Sequence, residues 1–246
     1  MSLKDREERI VEYLKGRHEA TVEELCSVLF VSEATMRRDL ARLNGEGRIV
    51  RTYGGAAYRS ELGKNLPFEY REREHSDAKA QIAKRCLSLI KDGDTVMTDA
   101  SSTALALIRE IGASHSVIIV TNSAKAPLVL PEGAAKLFVT GGEVLLPSYA
   151  YVGAHAESFL RQFRADICFF SVRTLTRDGE LTDNAIAENS ARRVMMARSK
   201  RSILMLDSGK IGDSCVNTLC TLADVDGVVC ERDISEEFPE FSEKFL

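Results

Sequence analysis

The chain has 246 residues, 44% of them hydrophobic, and its 33 Lys/Arg against 37 Asp/Glu give a formal net charge of −4. That length exceeds one typical domain and suffices for a large core. The longest apolar runs, such as residues 116–121, are far too short to cross a bilayer, and no basic stretch followed by an apolar run opens the sequence, so the expectation is a soluble, unexported, cytoplasmic protein with no membrane partner. The six cysteines, at positions 26, 86, 168, 215, 220 and 230, include no CxxC pair, and the four histidines show no metal-ligand spacing. Free thiols are expected, with no metal and no cofactor.

Charge is unevenly spread. Residues 1–59 carry 11 Lys/Arg against 10 Asp/Glu, the remainder 22 against 27, and six arginines lie between Arg37 and Arg59 against only Asp39 and Glu46. A local basic patch can meet phosphates even on an acidic protein, because screening confines the attraction to about 10 Å.

Residues 4–15 read as a first helix, with Ile10, Val11 and Leu14 inward and Gly16 at its end. Thr21-Val-Glu-Glu24 is a capping box that opens a short helix through Leu25 and Leu29. Phe30-Val31 makes a turn, and Ser32 caps a third helix over residues 32–44. There Met36, Leu40 and Leu43 recur at i, i+4 and i+7 on one apolar stripe. The opposite face holds Ala34, Arg38 and Ala41, flanked by Thr35 and Arg42 on one side and Arg37 on the other. Small side chains allow close approach and guanidinium forks match guanine edges or phosphates, so this face suits a major groove; the segment alone equally fits a solvated amphipathic helix. Residues 21–44 have helix-turn-helix spacing. In GEGRIVRTYGGA, Gly45 and Gly47 stop the helix, residues 48–53 alternate as a strand and Gly54-Gly55 turns. This reads as a wing whose Arg48, Arg51 and Tyr53 lie along a phosphate backbone or enter a minor groove, or as a hairpin without DNA contact.

The run VEELCSVLFVSEATMRRDLARLNGEGRIVRTYGGA closely resembles the N-terminal signature of the DeoR family of bacterial transcriptional regulators, with Ser32, Thr35, Arg37, Arg38, Asp39 and Leu40 in the family's order. The resemblance implies an α+β winged helix-turn-helix over residues 1–58 that binds double-stranded operator DNA, with Ser32, Thr35, Arg37, Arg38, Arg42, Arg48, Arg51 and Tyr53 as its contacts. At Tyr53 the chain departs from the family, which often carries His before the Gly-Gly.

Residues 59–75 are polar and irregular and read as a linker ending in an extended Pro-Phe-Glu segment. A helix over residues 77–91 packs through Ile82, Cys86 and Leu89, with Gly93 after it. Strands are expected at residues 96–99, 117–121 and 137–140, with helices after the first (103–111) and after Asn122-Ser123. Further apolar segments lie at 167–172, 203–207 and 227–230, with a long helix over 184–199. The alternation predicts an α/β domain over residues 76–246 with a largely parallel sheet, and a ligand site at the carboxyl ends of its strands.

Polar clusters fall at those ends. Asp99, Ser101, Ser102 and Thr103 put hydroxyls and backbone N–H groups at a helix N-terminus, favourable for an anion. Thr121-Asn122 and Gly141-Gly142 share the rim, glycine allowing close backbone approach, and Lys210 adds an ammonium. Each cluster alone fits ordinary turn chemistry; four on one rim point to a binding site.

Residues 68–235 also resemble the DeoR family's effector domain, through Asp99 to Thr103, Thr121-Asn122, Gly141-Gly142, Val152-Gly153, Gly179 with Leu181-Thr182, and Asp207 to Lys210. That domain is similar to ribose-5-phosphate isomerase and senses phosphorylated sugars. The resemblance implies that Ser101, Ser102 and Thr103 take a phosphate, Asp99 a sugar hydroxyl and Lys210 either end. Where the family commonly reads Gly-Ala-Asp-Gly, this chain reads Ser171-Val-Arg-Thr174. Arg173 stands where the isomerases keep a catalytic carboxylate, which argues against proton-transfer chemistry. It implies a more anionic effector, or else a surface or interface charge.

The expected protein is a transcriptional regulator, not an enzyme: a repressor of carbohydrate or nucleoside metabolism genes whose operator affinity responds to a phosphorylated sugar. Half-site spacing calls for a homo-oligomer, a dimer or tetramer. The rival expectations are a sugar-phosphate isomerase-like enzyme with an accessory DNA-binding head, and a module that uses its winged helix for protein contacts.

Overall fold

Apolar residues one helical turn apart build the first of two separate units. In a computed structural model, residues 3–17, 19–46, 48–52, 54–58, 68–132, 135–212 and 214–246 are described. The chain divides into units Met1–Leu66 and Pro67–Leu246. The first holds α1 (Leu3–Arg17), β1 (Glu19–Thr21), α2 (Val22–Leu29), α3 (Glu33–Gly45), β2 (Ile49–Thr52) and β3 (Gly55–Tyr58). Ile10, Leu14, Leu25, Met36, Leu40, Leu43 and Ile49 are fully buried in its core. The capping box forms: the Thr21 hydroxyl accepts from the Glu24 N–H at 3.1 Å and the Glu24 carboxylate from the Thr21 N–H at 2.8 Å. Ser32 caps α3, accepting from the Thr35 N–H at 3.4 Å.

The strands pair antiparallel in the order β1-β3-β2. Three-residue β1 carries too little pattern to be read from sequence. It lies so close to β3 that a Cβ on Gly55 would sit 2.1 Å from the Ala20 carbonyl oxygen, so only glycine fits there.

The second unit opens with α4 (Phe68–Arg73) and α5 (Ser76–Leu87), followed by β4 (Thr95–Thr98), α6 (Ser102–Ser114), β5 (Val117–Thr121), β6 (Ala135–Val139), β7 (Glu143–Leu145), β8 (Ala150–Val152) and α7 (Gly153–Arg161). It continues with β9 (Ile167–Phe170), β10 (Thr174–Leu175), β11 (Glu180–Asp183), α8 (Ile186–Ala197), β12 (Ser202–Leu206), β13 (Asn217–Thr221) and β14 (Gly227–Cys230). Six strands form a parallel sheet in the order β14-β12-β9-β4-β5-β6. Alternate residues serve opposite faces. Ile167 and Phe169 join Ile82, Cys86, Ile108 and Ile111 on one side, while Cys168 and Phe170 join Leu160, Ala191 and Met195 on the other. A three-stranded antiparallel sheet, β10-β11-β13, and the β7-β8 pair complete the unit.

Several elements differ from expectation. No α-helix follows Asn122-Ser123, only a 3₁₀ turn at Ala126–Leu128, because Pro127 and Pro131 withhold backbone donors. The helix expected over 77–91 ends at Leu87; beyond it Leu89 packs, partly buried, against the core and Ile90 is buried in it. The later part of the expected linker is α4, anchored by fully buried Phe68, whose ring meets Tyr149 edge-on at 6.0 Å. The short strands β7, β8, β10, β11 and β13 and helix α7 are additions to the sequence reading.

All six cysteines are free thiols. Among the described residues, no helix is long and apolar enough to cross a membrane, and no group of three or more His, Cys, Asp or Glu is placed to hold a metal.

Leu40 fills the centre of the first core. Leu40→Ala is expected to destabilise that unit by about 2–5 kcal/mol, read as the shift of its calorimetric transition. A loss under about 1 kcal/mol would contradict this packing.

Candidate functional site

Helix α3 has one face to bury and one to present. With Met36, Leu40 and Leu43 inside, Ala34, Arg37, Arg38, Ala41 and Arg42 are exposed. Arg37 pairs with exposed Glu33 at 3.1 Å, and Arg38 donates Nε to the Ala34 carbonyl at 3.2 Å. Ser32 and Thr35 hydroxyls lie 3.0 Å apart at the helix start. Arg51 donates Nη1 to the Arg37 carbonyl at 3.4 Å and its N–H to Asn44 Oδ1 at 3.1 Å, which ties β2 to α3.

The structure separates the other basic residues from this group. Arg42 pairs with Glu7, and Arg48 with Glu8 at 2.7 Å, so both reach to α1. Asp39 is buried and forked by Arg6, which docks α1 on α3. The exposed Arg37–Glu33 and Arg48–Glu8 pairs are weak in water, whereas the Glu7 and Asp39 carboxylates are buried. Tyr53 lies outside the described residues.

In the second unit the parallel register brings the polar clusters to one edge. Thr98 is level with both Thr121 and Phe169, Thr121 with Val139, and Phe170 with Leu204. Just beyond these residues come Asp99, Asn122, Thr140 to Gly142, Ser171 to Arg173, and Asp207 to Lys210. Gly141 and Gly142 take φ of 66° and 106°, a left-handed backbone that side chains disfavour.

Asp99 is committed to the protein. Its Oδ1 accepts from the Ser101 hydroxyl at 2.6 Å and N–H at 3.2 Å, and its Oδ2 from Arg192 Nε at 2.9 Å and the Ser171 N–H at 3.4 Å. These four bonds fix the orientation of the carboxylate at the end of the strand. Ser101 in turn caps α6, its hydroxyl accepting from the Ala104 N–H at 3.1 Å. Ser102 donates to the Arg71 carbonyl at 3.2 Å, and Thr121 accepts from the Ser123 N–H at 3.1 Å. The side-chain oxygens Thr103 Oγ1, Asn122 Oδ1 and Thr140 Oγ1 are buried without hydrogen-bond partners among the described residues.

Charge dominates the rim. Arg192, 3% exposed, reaches Asp99, Asp183 at 2.8 Å and Glu188 at 3.3 Å, and also Asn189 at 2.9 Å. Burial works against its charge, but Asp183, Asp99 and Glu188 outweigh it and raise its pKa. Burial pushes the Glu188 carboxyl up against the pull of Arg192; for Asp183 burial acts the same way, but Arg192 prevails and its pKa falls. Lys210 donates to the Ser171 hydroxyl at 2.8 Å and lies 3.5 Å from Asp207; burial lowers its pKa, Asp207 opposing and Arg71 and Arg173 adding repulsion. Lys79 is lowered to about 8 by burial and by Lys210, and it donates to the carbonyls of Arg71 and Glu74. Arg173 follows the end of β9, and its N–H donates to the Thr182 carbonyl at 3.2 Å.

Arg71, Lys79, Arg192, Asp183 and Glu188 are absent from the sequence reading. The available signal was Glu188 and Arg192, a charged i, i+4 pair set beside apolar Ala191 and Met195 on the buried face of α8.

Comparison with known proteins gives matches across both units. Residues 6–61 match the DeoR-like helix-turn-helix domain, and residues 74–232 the DeoR C terminal sensor domain. The chain is 30% identical to the transcriptional repressor AccR of Agrobacterium fabrum, covering 97% of this chain and 95% of that protein. It is 29% identical to the HTH-type transcriptional regulator GolR of Listeria innocua, covering 94% and 92%. The lactose phosphotransferase system repressor of Staphylococcus epidermidis is 29% identical, covering 96% and 95%. Among solved structures, ribose 5-phosphate isomerase A of Methanocaldococcus jannaschii is similar over 56% of this chain and 55% of that one, with 18% identity and a TM-score of 0.42.

Arg192→Met would strand buried Asp99 and Glu188 and half-buried Asp183, and is expected to cost about 3–5 kcal/mol. Without the guanidinium the Glu188 carboxyl, already raised by burial, rises further above its unfolded value, so the variant loses stability as pH climbs through it. Melting temperatures of wild type and variant should therefore lie closer at pH 5 than at pH 8; a gap independent of pH would count against the pairing.

Proposed function

The chain belongs to the DeoR family of transcriptional regulators, and we propose that it is a cytoplasmic repressor of carbohydrate or nucleoside metabolism genes whose operator affinity is set by a phosphorylated sugar. It is a regulator and not an enzyme, as its full-length relatives are. The observation that carries the reading is a helix wholly buried on one face and bearing Arg37 and Arg38 on the other, in one chain with a polar sheet rim that ends at a helix N-terminus.

In this reading Arg37 and Arg38 enter the major groove of double-stranded operator DNA, Ser32 and Thr35 meet the backbone at its edge, and Arg42, Arg48, Arg51 and Tyr53 follow the phosphates. The sugar's phosphate takes the α6 N-terminus with Ser101, Ser102 and Thr103, while Thr121, Asn122, Gly141, Gly142, Arg173 and Lys210 surround the rest and Asp99 holds the rim. Two or four copies place paired heads on two half-sites. The sugar acts by binding the DNA-competent and incompetent arrangements with different affinity.

Binding to an operator selected from a random DNA pool, followed by fluorescence anisotropy, tests the DNA half. Arg38→Ala should lose about 1–3 kcal/mol on the selected site and less on random DNA; equal losses would reduce Arg38 to a phosphate contact. In the same assay at least one pentose or hexose phosphate should change operator affinity while its parent sugar does not. If none does, the sensing half of the reading fails.

A further inference from the structure

We propose that Arg71, on the helix that opens the second unit, takes the anionic group of the ligand bound at the sheet rim. The proposal rests on the phosphorylated-ligand reading above and adds to it a residue outside every cluster read from the sequence.

Helix α4 is fastened to the rim on several sides. The Lys125 ammonium lies 4.4 Å from the Phe68 ring centroid and 4.2 Å from that of Tyr149, and it pairs with Glu69 at 2.8 Å. Glu72 pairs with Arg109 of α6 at 2.6 Å. The Arg71 carbonyl accepts from Lys79 and from the Ser102 hydroxyl, which belongs to the first residue of α6. The Arg71 backbone is thus tied to the very helix N-terminus that favours an anion.

Its guanidinium is poorly answered among the described residues. It packs over Phe68, 5.4 Å from the ring centroid, and offers one long bond, Nη2 to the Pro147 carbonyl at 3.4 Å. Its Nε is buried without a hydrogen-bond partner among the described residues. Arg192, by contrast, has three carboxylates and an amide. Burial depresses the Arg71 pKa; Glu188 opposes this, but Glu188 already pairs with Arg192, while Arg173 and Arg192 repel Arg71. A guanidinium has five donors in a rigid fork and no means of shedding its charge, so burying its Nε edge without a partner is costly. A phosphate supplies a bidentate, charge-assisted partner that no described residue gives it. On the same rim the Thr103 and Thr140 hydroxyls can donate to further phosphate or sugar oxygens, and Asn122 Oδ1 can accept from a sugar hydroxyl.

The test is a thermal-shift titration of the full chain with inorganic phosphate and with pentose 5-phosphates and hexose 6-phosphates, each beside its parent sugar. Wild type should prefer at least one sugar phosphate to its parent sugar. R71Q should lose that preference by about tenfold or more, and R71K, which keeps charge without the fork, by less. The ligand-free melt shows whether R71Q folds, and R71K carries the comparison if it does not. A folded variant with a lower melting temperature but an unchanged phosphate-to-sugar affinity ratio would overturn the proposal, because Arg71 would then serve packing alone. If wild type responds to no phosphorylated compound, the phosphorylated-ligand reading itself falls.

Discussion

The buried guanidinium of Arg192 is the contact on which the sheet rim depends. It joins Asp99 at the end of β4, Asp183 at the end of β11 and Glu188 one turn back on α8, three carboxylates that share one small volume. Their mutual repulsion and desolvation are tolerated only because a single cation lies among them. Two hydrogen bonds connect that cation to the start of α6: Arg192 to Asp99, and Asp99 to the Ser101 hydroxyl that caps the helix. The N-terminus of α6 is therefore braced by a buried ion pair.

The same division of labour recurs in the first unit. Arg6 forks buried Asp39 and docks α1 on α3, while Arg37 and Arg38 stay on the exposed face of α3. Arginine thus appears in two chemical states. Where a buried carboxylate accepts its fork, it fixes geometry; where its partners are exposed or neutral, as for Arg37 and Arg38, the guanidinium stays on the surface. Arg71 stands apart as a half-buried guanidinium whose Nε is buried and finds no hydrogen-bond partner among the described residues.

Much of this architecture is legible in local signals. The Thr21 capping box, the Ser32 cap and the Met36-Leu40-Leu43 stripe all form, because each depends on residues within about two turns of one another. The long apolar segments become parallel strands since only a fully buried strand tolerates apolar residues on both faces. Short elements escape: β1, β10 and the β7-β8 pair have two or three residues each, too few for a period to show. Phe68 is another such case, because an aromatic after a polar, proline-containing stretch reads as part of a linker until Tyr149 supplies its partner.

The sequence by itself determined the two units, the helix that presents Arg37 and Arg38, and the edge of the sheet where Asp99, Ser101, Asn122, Gly141 and Lys210 collect, because periodicity, capping and strand direction are local properties. Only the tertiary structure decided what those residues do to one another. Asp99 is turned inward by an arginine 93 positions away, Arg42 and Arg48 are engaged by α1, and Arg71 is brought from the presumed linker to the rim. Ion pairing depends on distance in space and on burial, and neither is written in the spacing of residues along the chain.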